Sequence, residues 1–431
     1  MDIEKLKARL SATTTVLGVG RVRAVTGLSV RASLPGARVG DVVVIKRKGE
    51  PLPGEIVGFD EGAAIILPLG HVAGIGPDDA VESTGAPLEV RASEGLLGRV
   101  VDGLGRPIDA GGPVEGAAVP VDRSPPAALG RRPVADPLPT GVRVIDGLLT
   151  LGEGQRIGLF AGSGVGKSTL LGAIARGTAA DVVVVALVGE RGREVGEFLE
   201  QSLGPLGRKK SVVVVATSDA PALERLRAAQ VATAYAEYFR DCGLRVMLLV
   251  DSVTRFARAQ REVGLSAGEP PARRGYPPSV FAMLPRLLER SGQGAKGSIT
   301  AIYTVLVEGG DMDEPIADEV RGIVDGHVVL ERALAARGRY PAVDVTVSLS
   351  RVMDSIVEEN HRDAARRMRD LVALYEAKRD LLLLGAYAKG TDKELDRAIE
   401  LMPQIEAFLR QSSDQIIPFA DSVQKLALAV K

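Results

Sequence analysis

The sequence contains no tryptophan, and aromatic residues make up only 3% of its 431 positions. Stacking platforms for single-stranded nucleic acid are therefore sparse, which weakens a helicase reading. A single cysteine, Cys242, excludes an intramolecular disulfide. With His71, His327 and His361 it shows none of the spacing of a zinc site, so it reads as a small buried hydrophobe in a reducing compartment. Nor is one sign of charge in excess. Fifty-four Lys and Arg face 55 Asp and Glu, a net charge of -1, which leaves no overall basic field for duplex DNA and only room for a local patch. The longest apolar runs, such as Val182–Val188, fall far short of the roughly 18 residues that span a bilayer, and none follows an N-terminal basic stretch. The chain reads as cytosolic.

What is present is an ordinary globular composition, 45% hydrophobic and 25% charged. At about 150 residues per domain the length predicts two or three domains. Met1–Leu10 is a short amphipathic stretch, expected as a frayed terminus, with membrane-surface or partner docking by residues 1–12 as the competing reading. From Val16 to Val90 short β-rich runs (GVGRVRAV, LSVRA, DVVVIKR, GEIVGF, AAIILPL) separated by Gly, Pro and Asp predict a small β-barrel over residues 1–91. Arg99–Arg132, rich in Gly, Pro and Ala, reads as an extended connection. Beyond it, apolar strands (QRIGLF, DVVVVALV, SVVVVAT, RVMLLVD) alternate with helical segments, which predicts a parallel sheet covered on both faces within residues 92–352. SITAIYTVLV and AVDVTVSLS are expected to complete it. From Asp354 the pattern turns helical, with TDKE (Thr391–Glu394) as a capping box, so residues 353–431 are expected to form a C-terminal helical domain.

The strongest local signal is AGSGVGKST: Ala161, Gly162, Ser163, Gly164, Val165, Gly166, Lys167, Ser168 and Thr169, between a strand and a helix. Small residues let backbone N–H groups wrap phosphates, the helix N-terminus adds its dipole, Lys167 reaches the β and γ phosphates, and Ser168 offers a hydroxyl to Mg²⁺. Thr169 is a further phosphate contact. Ala161 stands where the strict motif has its first glycine. Asp251, ending RVMLLVD, is the expected magnesium-site acid. Glu190, in LVGERGREV, is placed to polarise an attacking water, with a loop salt bridge to Arg191 or Arg193 as the competing reading. Arg191, Arg193, Arg255 and Arg351 are candidates for stabilising transition-state charge, and spacing does not choose among them.

Taken together, GRVVDGLGRPID, PLPTGVRVIDGLLTLGEGQRIGLFAGSGVGKSTLL, LVGERGREV, DSVTRFARAQREVGLSAGEPPARRGYPPSVFAMLPRLLER and GSITAIYTVLVEGGDMDEPIADEVRGIVDGH resemble the export ATPases of type III secretion, flagellar and injectisome, which are related to the catalytic subunit of rotary ATP synthases. The resemblance covers nearly the whole chain. It implies an α/β fold, with a RecA-like parallel-sheet P-loop domain between an N-terminal β-barrel and a C-terminal helical domain. It implies catalytic roles for Glu190, Lys167 and Arg191, with Glu194 reaching magnesium through water, Arg351 as a finger entering the neighbouring subunit's site, and Tyr340 packing on adenine. For Tyr340, core packing is the competing reading.

The cofactors implied are ATP and Mg²⁺. The partners implied are other copies in a homohexamer, a coiled-coil central stalk, a stator or regulator, export-gate components, and secretion chaperones with their substrates; no specific nucleic acid is expected. The place implied is the cytoplasm, peripheral at the cytoplasmic face of the inner membrane. Hydrolysis would energise secretion by releasing chaperones and unfolding cargo. Ser413, in FLRQSSDQ, falls near the position of a second adenine-stacking aromatic in the ATP synthase subunit, which loosens the expected preference for ATP over GTP. An acidic run of DELSEED type is missing, with LLLLGAYAKGTDKELDRAIE in its place; this argues against the alternative of a proton-translocating ATP synthase subunit. A hexameric nucleic-acid translocase is the other alternative. PARRGYPPSVFA and PIADEVRGIVDGH look more injectisome-like than flagellar.

Overall fold

The computed structural model describes residues 18–431. The amphipathic stretch Met1–Leu10 and the docking reading attached to it lie outside the described residues. Among those described, six antiparallel strands close a barrel in which Val19–Thr26 pairs with Ser29–Ser33 and Ala80–Pro87. Alternation drives it: in Asp41–Lys46 every second side chain turns inward, and Val43, Ile45, Ile56, Ile66 and Val81 form one apolar centre. The closing strand Ala80–Pro87 (AVESTGAP) is poor in β-formers, and only its pairing on both sides makes it a strand.

The central sheet runs, strand by strand, Leu349–Ser350, Gly326–Leu330, Arg156–Ala161, Ser298–Leu306, Arg245–Asp251, Val182–Glu190, Ser211–Thr217 and Val100–Asp102, with Gly292–Gln293 paired onto Ser298–Leu306. From Gly326–Leu330 to Val100–Asp102 all pairings in that path are parallel. All nine residues of Val182–Glu190 are buried, and alternate side chains feed two different cores. Val182, Val184 and Ala186 join helices Ala222–Asp241 and Val253–Ser266 on one face, and Val183, Val185 and Leu187 join the helix Lys167–Gly177 on the other. That double burial is why the run reads as continuously apolar.

Four expectations are corrected. AVDVTVSLS supplies only the two-residue strand Leu349–Ser350; GHVVL (Gly326–Leu330) takes the place beside Arg156–Ala161, because Val343 and Val345 serve the core from irregular backbone. The connection Arg99–Arg132 is not purely extended: Val100–Asp102 joins the sheet edge and Ala117–Pro120 pairs with Glu89–Ala92. Cys242 is exposed, at the C-terminal end of helix Ala222–Asp241, where the chain turns away from the core.

The C-terminal helices Glu359–Leu383, Lys393–Leu409 and Phe419–Ala429 share the second core with the sheet, through Met368, Leu371, Ile405 and Leu426 against Leu148 and its neighbours. The expected capping box is also shifted. Asp392, not Thr391, caps helix Lys393–Leu409, its carboxylate accepting from the backbone N–H groups of Glu394 and Leu395; the Thr391 hydroxyl donates to the Ala388 carbonyl instead.

Candidate nucleotide site

Strand Arg156–Ala161 ends in the core, where Ala161 is buried and its carbonyl accepts from Val307 N–H. The methyl in place of the first glycine therefore packs into the core at the end of the strand. Gly164 and Gly166 take φ of +77° and +90°, a left-handed backbone that turns the loop without a Cβ penalty. Val165 anchors the loop by burying its side chain. Helix Lys167–Gly177 then begins with its free N–H groups and positive dipole end facing the loop, while Leu170, Leu171 and Ile174 hold it to the sheet.

Two other strands of the same sheet bring carboxylates to this end. Asp251 closes Arg245–Asp251 and is 2% exposed; its Oδ1 accepts a 2.8 Å hydrogen bond from Thr304 Oγ1, and its Oδ2 pairs with Lys167 Nζ. Glu190 closes Val182–Glu190. Gly189, at φ +69°, is the extra residue of a bulge that shifts the register against Ser211–Thr217, so that Glu190 pairs with Thr217 and its side chain is re-aimed. A Cβ on Gly189 would sit 2.9 Å from Arg255 Cδ, and Arg255 is the guanidinium that pairs with Glu190. Lys167 Nζ also lies 3.4 Å from Glu190 Oε1.

Around this centre is a cleft of about 560 Å³ lined by the loop Gly162–Gly166, Ser168, Thr169, Arg191, Glu194, Arg255, Arg258 and Arg332. Its basic side chains outnumber its acids, which suits a polyphosphate. Glu194 pairs with the exposed Arg191 at 3.3 Å. A hydrogen bond with the Glu190 carboxyl, aided by the guanidiniums of Arg191 and Arg255 and opposed by burial, holds the Glu194 carboxyl below the usual carboxylate range. Among the described residues no group of three or more His, Cys, Asp or Glu could hold a metal by itself. The donors available, the Ser168 hydroxyl with Asp251 and Glu194, are hard oxygens and few. They fit Mg²⁺, which keeps waters and takes further ligands from substrate phosphates.

Tyr340 borders an adjoining cavity of about 370 Å³ with Gly166, Thr169, Ala173 and Ser413. It is 47% exposed, so it does not pack in the core. Arg351 lies elsewhere. Its backbone N–H bonds to Asp325, at the start of Gly326–Leu330, and its Nη1 donates to the Val324 carbonyl. It therefore sits at the opposite end of the sheet from the loop, about 17 Å away at the rise of one strand. Sequence reasoning missed Thr304, whose only signal is a polar residue inside an apolar strand, and Arg332, whose Nη2 lies 3.5 Å from the Ser163 carbonyl.

A strand, a glycine-rich loop and a helix, with carboxylates at the same end of the sheet, define a P-loop nucleotide hydrolase. The comparisons make this specific. Residues 141–350 match the nucleotide-binding domain of the ATP synthase alpha/beta family, and residues 357–427 match the T3SS EscN ATPase C-terminal domain. The chain is similar to the flagellum-specific ATP synthase of Bacillus subtilis (strain 168), 51% identical over 430 residues, covering 99% of this chain and 98% of that protein. It is also similar to the type 3 secretion system ATPase of Xanthomonas euvesicatoria, 50% identical over 428 residues, covering 98% and 97%. Among solved structures it resembles the assembled ATPase EscN in complex with its central stalk EscO from enteropathogenic E. coli, with TM-score 0.89, 46% identity, and 96% and 100% of the two chains covered. The chain belongs to the ATP synthase alpha/beta family and, within it, to the ATPases of type III secretion and flagellar export. Flagellar and injectisome relatives stand at nearly equal identity.

Proposed function

We propose that the chain hydrolyses ATP at sites shared between adjacent subunits of a homohexameric ring, and that this energises type III protein export. The observation that carries the reading is the separation of Arg351 from its own chain's Lys167, Glu190 and Asp251: a finger at the far end of the sheet serves a neighbouring site or none. Support comes from EscN, which the solved structure describes as assembled and bound to its central stalk.

In this reading residues 1–91, 92–352 and 353–431 act as barrel, motor and helical units. Triphosphate enters the cleft over Gly162–Gly166, and Lys167 moves from the carboxylates to the β and γ phosphates. Glu190, re-aimed by the bulge at Gly189, orients water in line with the γ-phosphate and takes its proton. Arg191 and Arg255 stand at the phosphate end, and the neighbour's Arg351 meets the charge that develops there. Ser168, Asp251 and Glu194 would hold Mg²⁺, which when bound neutralises charge on the phosphate oxygens. Tyr340 packs on the base. Ser413 opposite it gives no second ring, so GTP competes more closely with ATP than in a two-aromatic pocket.

Exchange in successive sites would tilt the C-terminal helices in turn around a coiled-coil stalk, with a stator, export-gate proteins and chaperone-bound cargo as further partners. Chaperone release and cargo unfolding follow from that movement. Among the described residues no helix is long and apolar enough to cross a membrane, so attachment at the cytoplasmic face of the inner membrane would be peripheral. An injectisome rather than a flagellum is proposed from PARRGYPPSVFA and PIADEVRGIVDGH.

The test is the Mg-ATPase rate per subunit against protein concentration, with mass from light scattering, for the wild type, Glu190→Gln and Arg351→Ala. The rate is expected to climb as hexamers form and to be lost in both variants. A concentration-independent rate from monomers, indifferent to Arg351, would sink the shared-site ring.

A further inference from the structure

The cavity beside Tyr340 is closed by chain from beyond the central sheet: after helix Lys393–Leu409, residues Gln411, Ser412 and Ser413 form its third wall. Gln411 is bonded in four directions. Its backbone N–H donates to the Tyr340 carbonyl at 2.9 Å. Its side-chain Nε2 donates to the carbonyls of Gly141 and Gln415, both at 2.9 Å, and its Oε1 accepts from Arg143 N–H at 2.7 Å. Both amide protons of the side chain are therefore used, and the only group with this donor and acceptor set at this length is glutamine.

Arg143 secures the same junction. It is 9% exposed, donates from Nε to the Phe408 carbonyl at 2.6 Å and from Nη2 to the Ala407 carbonyl at 2.8 Å, and stacks its guanidinium 5.4 Å from the Phe408 ring centre. It thus caps the open carbonyls of helix Lys393–Leu409 immediately before the segment that turns into the cavity. Arg176, in the helix that follows the phosphate loop, closes the far side by donating to the Ser413 carbonyl.

We propose that Gln411 is a positioning residue for the nucleoside: it pegs the C-terminal wall to Tyr340 and to the 141–143 segment, and thereby sets the width of the base cavity. The side chain need not touch the base. It acts by fixing where Ser412 and Ser413 stand opposite the Tyr340 ring, while Val165 and Leu170 pack the phosphate loop onto the sheet. The consequence is a separation of binding terms. Loss of Gln411 weakens recognition of the nucleoside and leaves recognition of the triphosphate alone.

This inference rests on the proposed placement of the base against Tyr340, so the experiment includes Tyr340→Ala. Steady-state hydrolysis of ATP is measured for the wild type, Gln411→Ala, Gln411→Glu and Tyr340→Ala, with inorganic triphosphate as a competitive inhibitor that has no base. Gln411→Ala is expected to raise KM for ATP about three- to tenfold, about the net worth of one hydrogen bond, with kcat within about twofold and the inhibition constant of triphosphate unchanged. Gln411→Glu keeps the shape and the bond from Arg143 but turns a carboxylate oxygen toward two carbonyls, and should raise KM at least as much. An unchanged KM in both Gln411 variants, or a parallel rise in the triphosphate inhibition constant, overturns the proposal. Should Gln411→Ala fail to fold, the near-isosteric Gln411→Glu decides alone on the same readouts. If Tyr340→Ala also leaves KM for ATP unchanged, the base placement itself is wrong; if it raises KM while the Gln411 variants do not, only the positioning role fails.

Discussion

Lys167, the first residue of the helix after the phosphate loop, holds its ammonium against the carboxylate of Asp251, which ends a buried strand two places away in the sheet. The pair is enclosed, with side chains 12% and 3% exposed, so each charge depends on the other before any phosphate arrives. Lys167→Ala should abolish ATP binding and also cost about 3–5 kcal/mol of stability, because Asp251 is left buried and unpaired. Adding Asp251→Asn should restore most of that stability and none of the activity. Urea unfolding and fluorescent-nucleotide titration read the two effects separately; a Lys167→Ala protein as stable as wild type would contradict the enclosed pair.

The proposed sharing of sites between subunits can be tested by complementation. Glu190→Gln is expected to lower kcat by at least about 10²-fold, the low end for a general base, and Arg351→Ala by at least about 10³-fold, the low end for an arginine finger. Mixed and reassembled, the two inactive proteins should regain part of the rate, because some interfaces then pair an intact Glu190 with an intact Arg351. Equal inactivity of the mixture and its components would place both residues in one chain's site.

Thr304 aims Asp251. Its buried hydroxyl donates to Asp251 Oδ1 from within strand Ser298–Leu306. A hydrogen bond to a charged group is worth about 1.5–3 kcal/mol, so Thr304→Val should lower kcat roughly ten- to a hundredfold. Thr304→Ser, which keeps the hydroxyl, should recover most of it. Equal rates for the Val and Ser variants would mean that the bond orients nothing.

The barrel is fastened to the nucleotide-binding domain by a buried pair. Arg227, on helix Ala222–Asp241, donates from Nε to Glu55 Oε2 at 2.8 Å, and Glu55 is 4% exposed within barrel strand Leu52–Asp60. Burial pushes the Glu55 carboxyl above its usual range, with Arg227 opposing. Removing the arginine by Arg227→Leu should push it higher still. A carboxyl raised in the folded state favours folding at low pH, and that contribution is lost as pH rises through the folded value. The melting-temperature deficit of Arg227→Leu is therefore expected to be large at pH 7 and to shrink toward pH 5; a pH-independent deficit would assign it to packing alone.

Asp109 works in the opposite sense. It takes hydrogen bonds from Arg99 Nε and Nη2 and, at 2.7 Å, from the Val100 N–H, tying the loop after strand Val100–Asp102 to that edge strand. The Arg99 guanidinium, ahead of the backbone donors and against burial, holds its carboxyl well below the ordinary aspartate range. Such a group contributes stability that is fully present above the unfolded aspartate value, about 3.9, and is lost as pH falls through the lower folded value. Asp109→Asn should lower the melting temperature at neutral pH and flatten the acid limb of its pH profile. An unaltered acid limb would show that the pair contributes no linkage.

Much of this molecule was legible in order along the chain. Val182–Glu190, Arg245–Asp251 and the loop Ala161–Thr169 were readable because their signals are local: continuous apolar runs bounded by turns, and glycines before a Lys-Ser pair. The same locality misled at AVDVTVSLS, whose apolar alternation is spent mostly on core contacts and leaves only Leu349–Ser350 as a paired strand, and at Cys242, whose burial depended on where a helix ended. Thr391 and Asp392 were both adequate caps by residue type, and backbone direction chose between them.

The sequence alone determined the chemistry available: which residue is the phosphate-loop lysine, which carboxylates end apolar strands, and that three differently patterned stretches follow one another. Tertiary structure decided how those groups meet. Only strand order brings Lys167 to Asp251, only a bulge turns Glu190 toward Arg255, and only the return of the C-terminal helices onto the Arg143–Leu148 helix puts Gln411 and Ser413 beside Tyr340. The physical reason is that residue type and periodicity are short-range properties. Register, sheet order and the packing of distant segments are set by burying two cores at once, which no window of the chain contains.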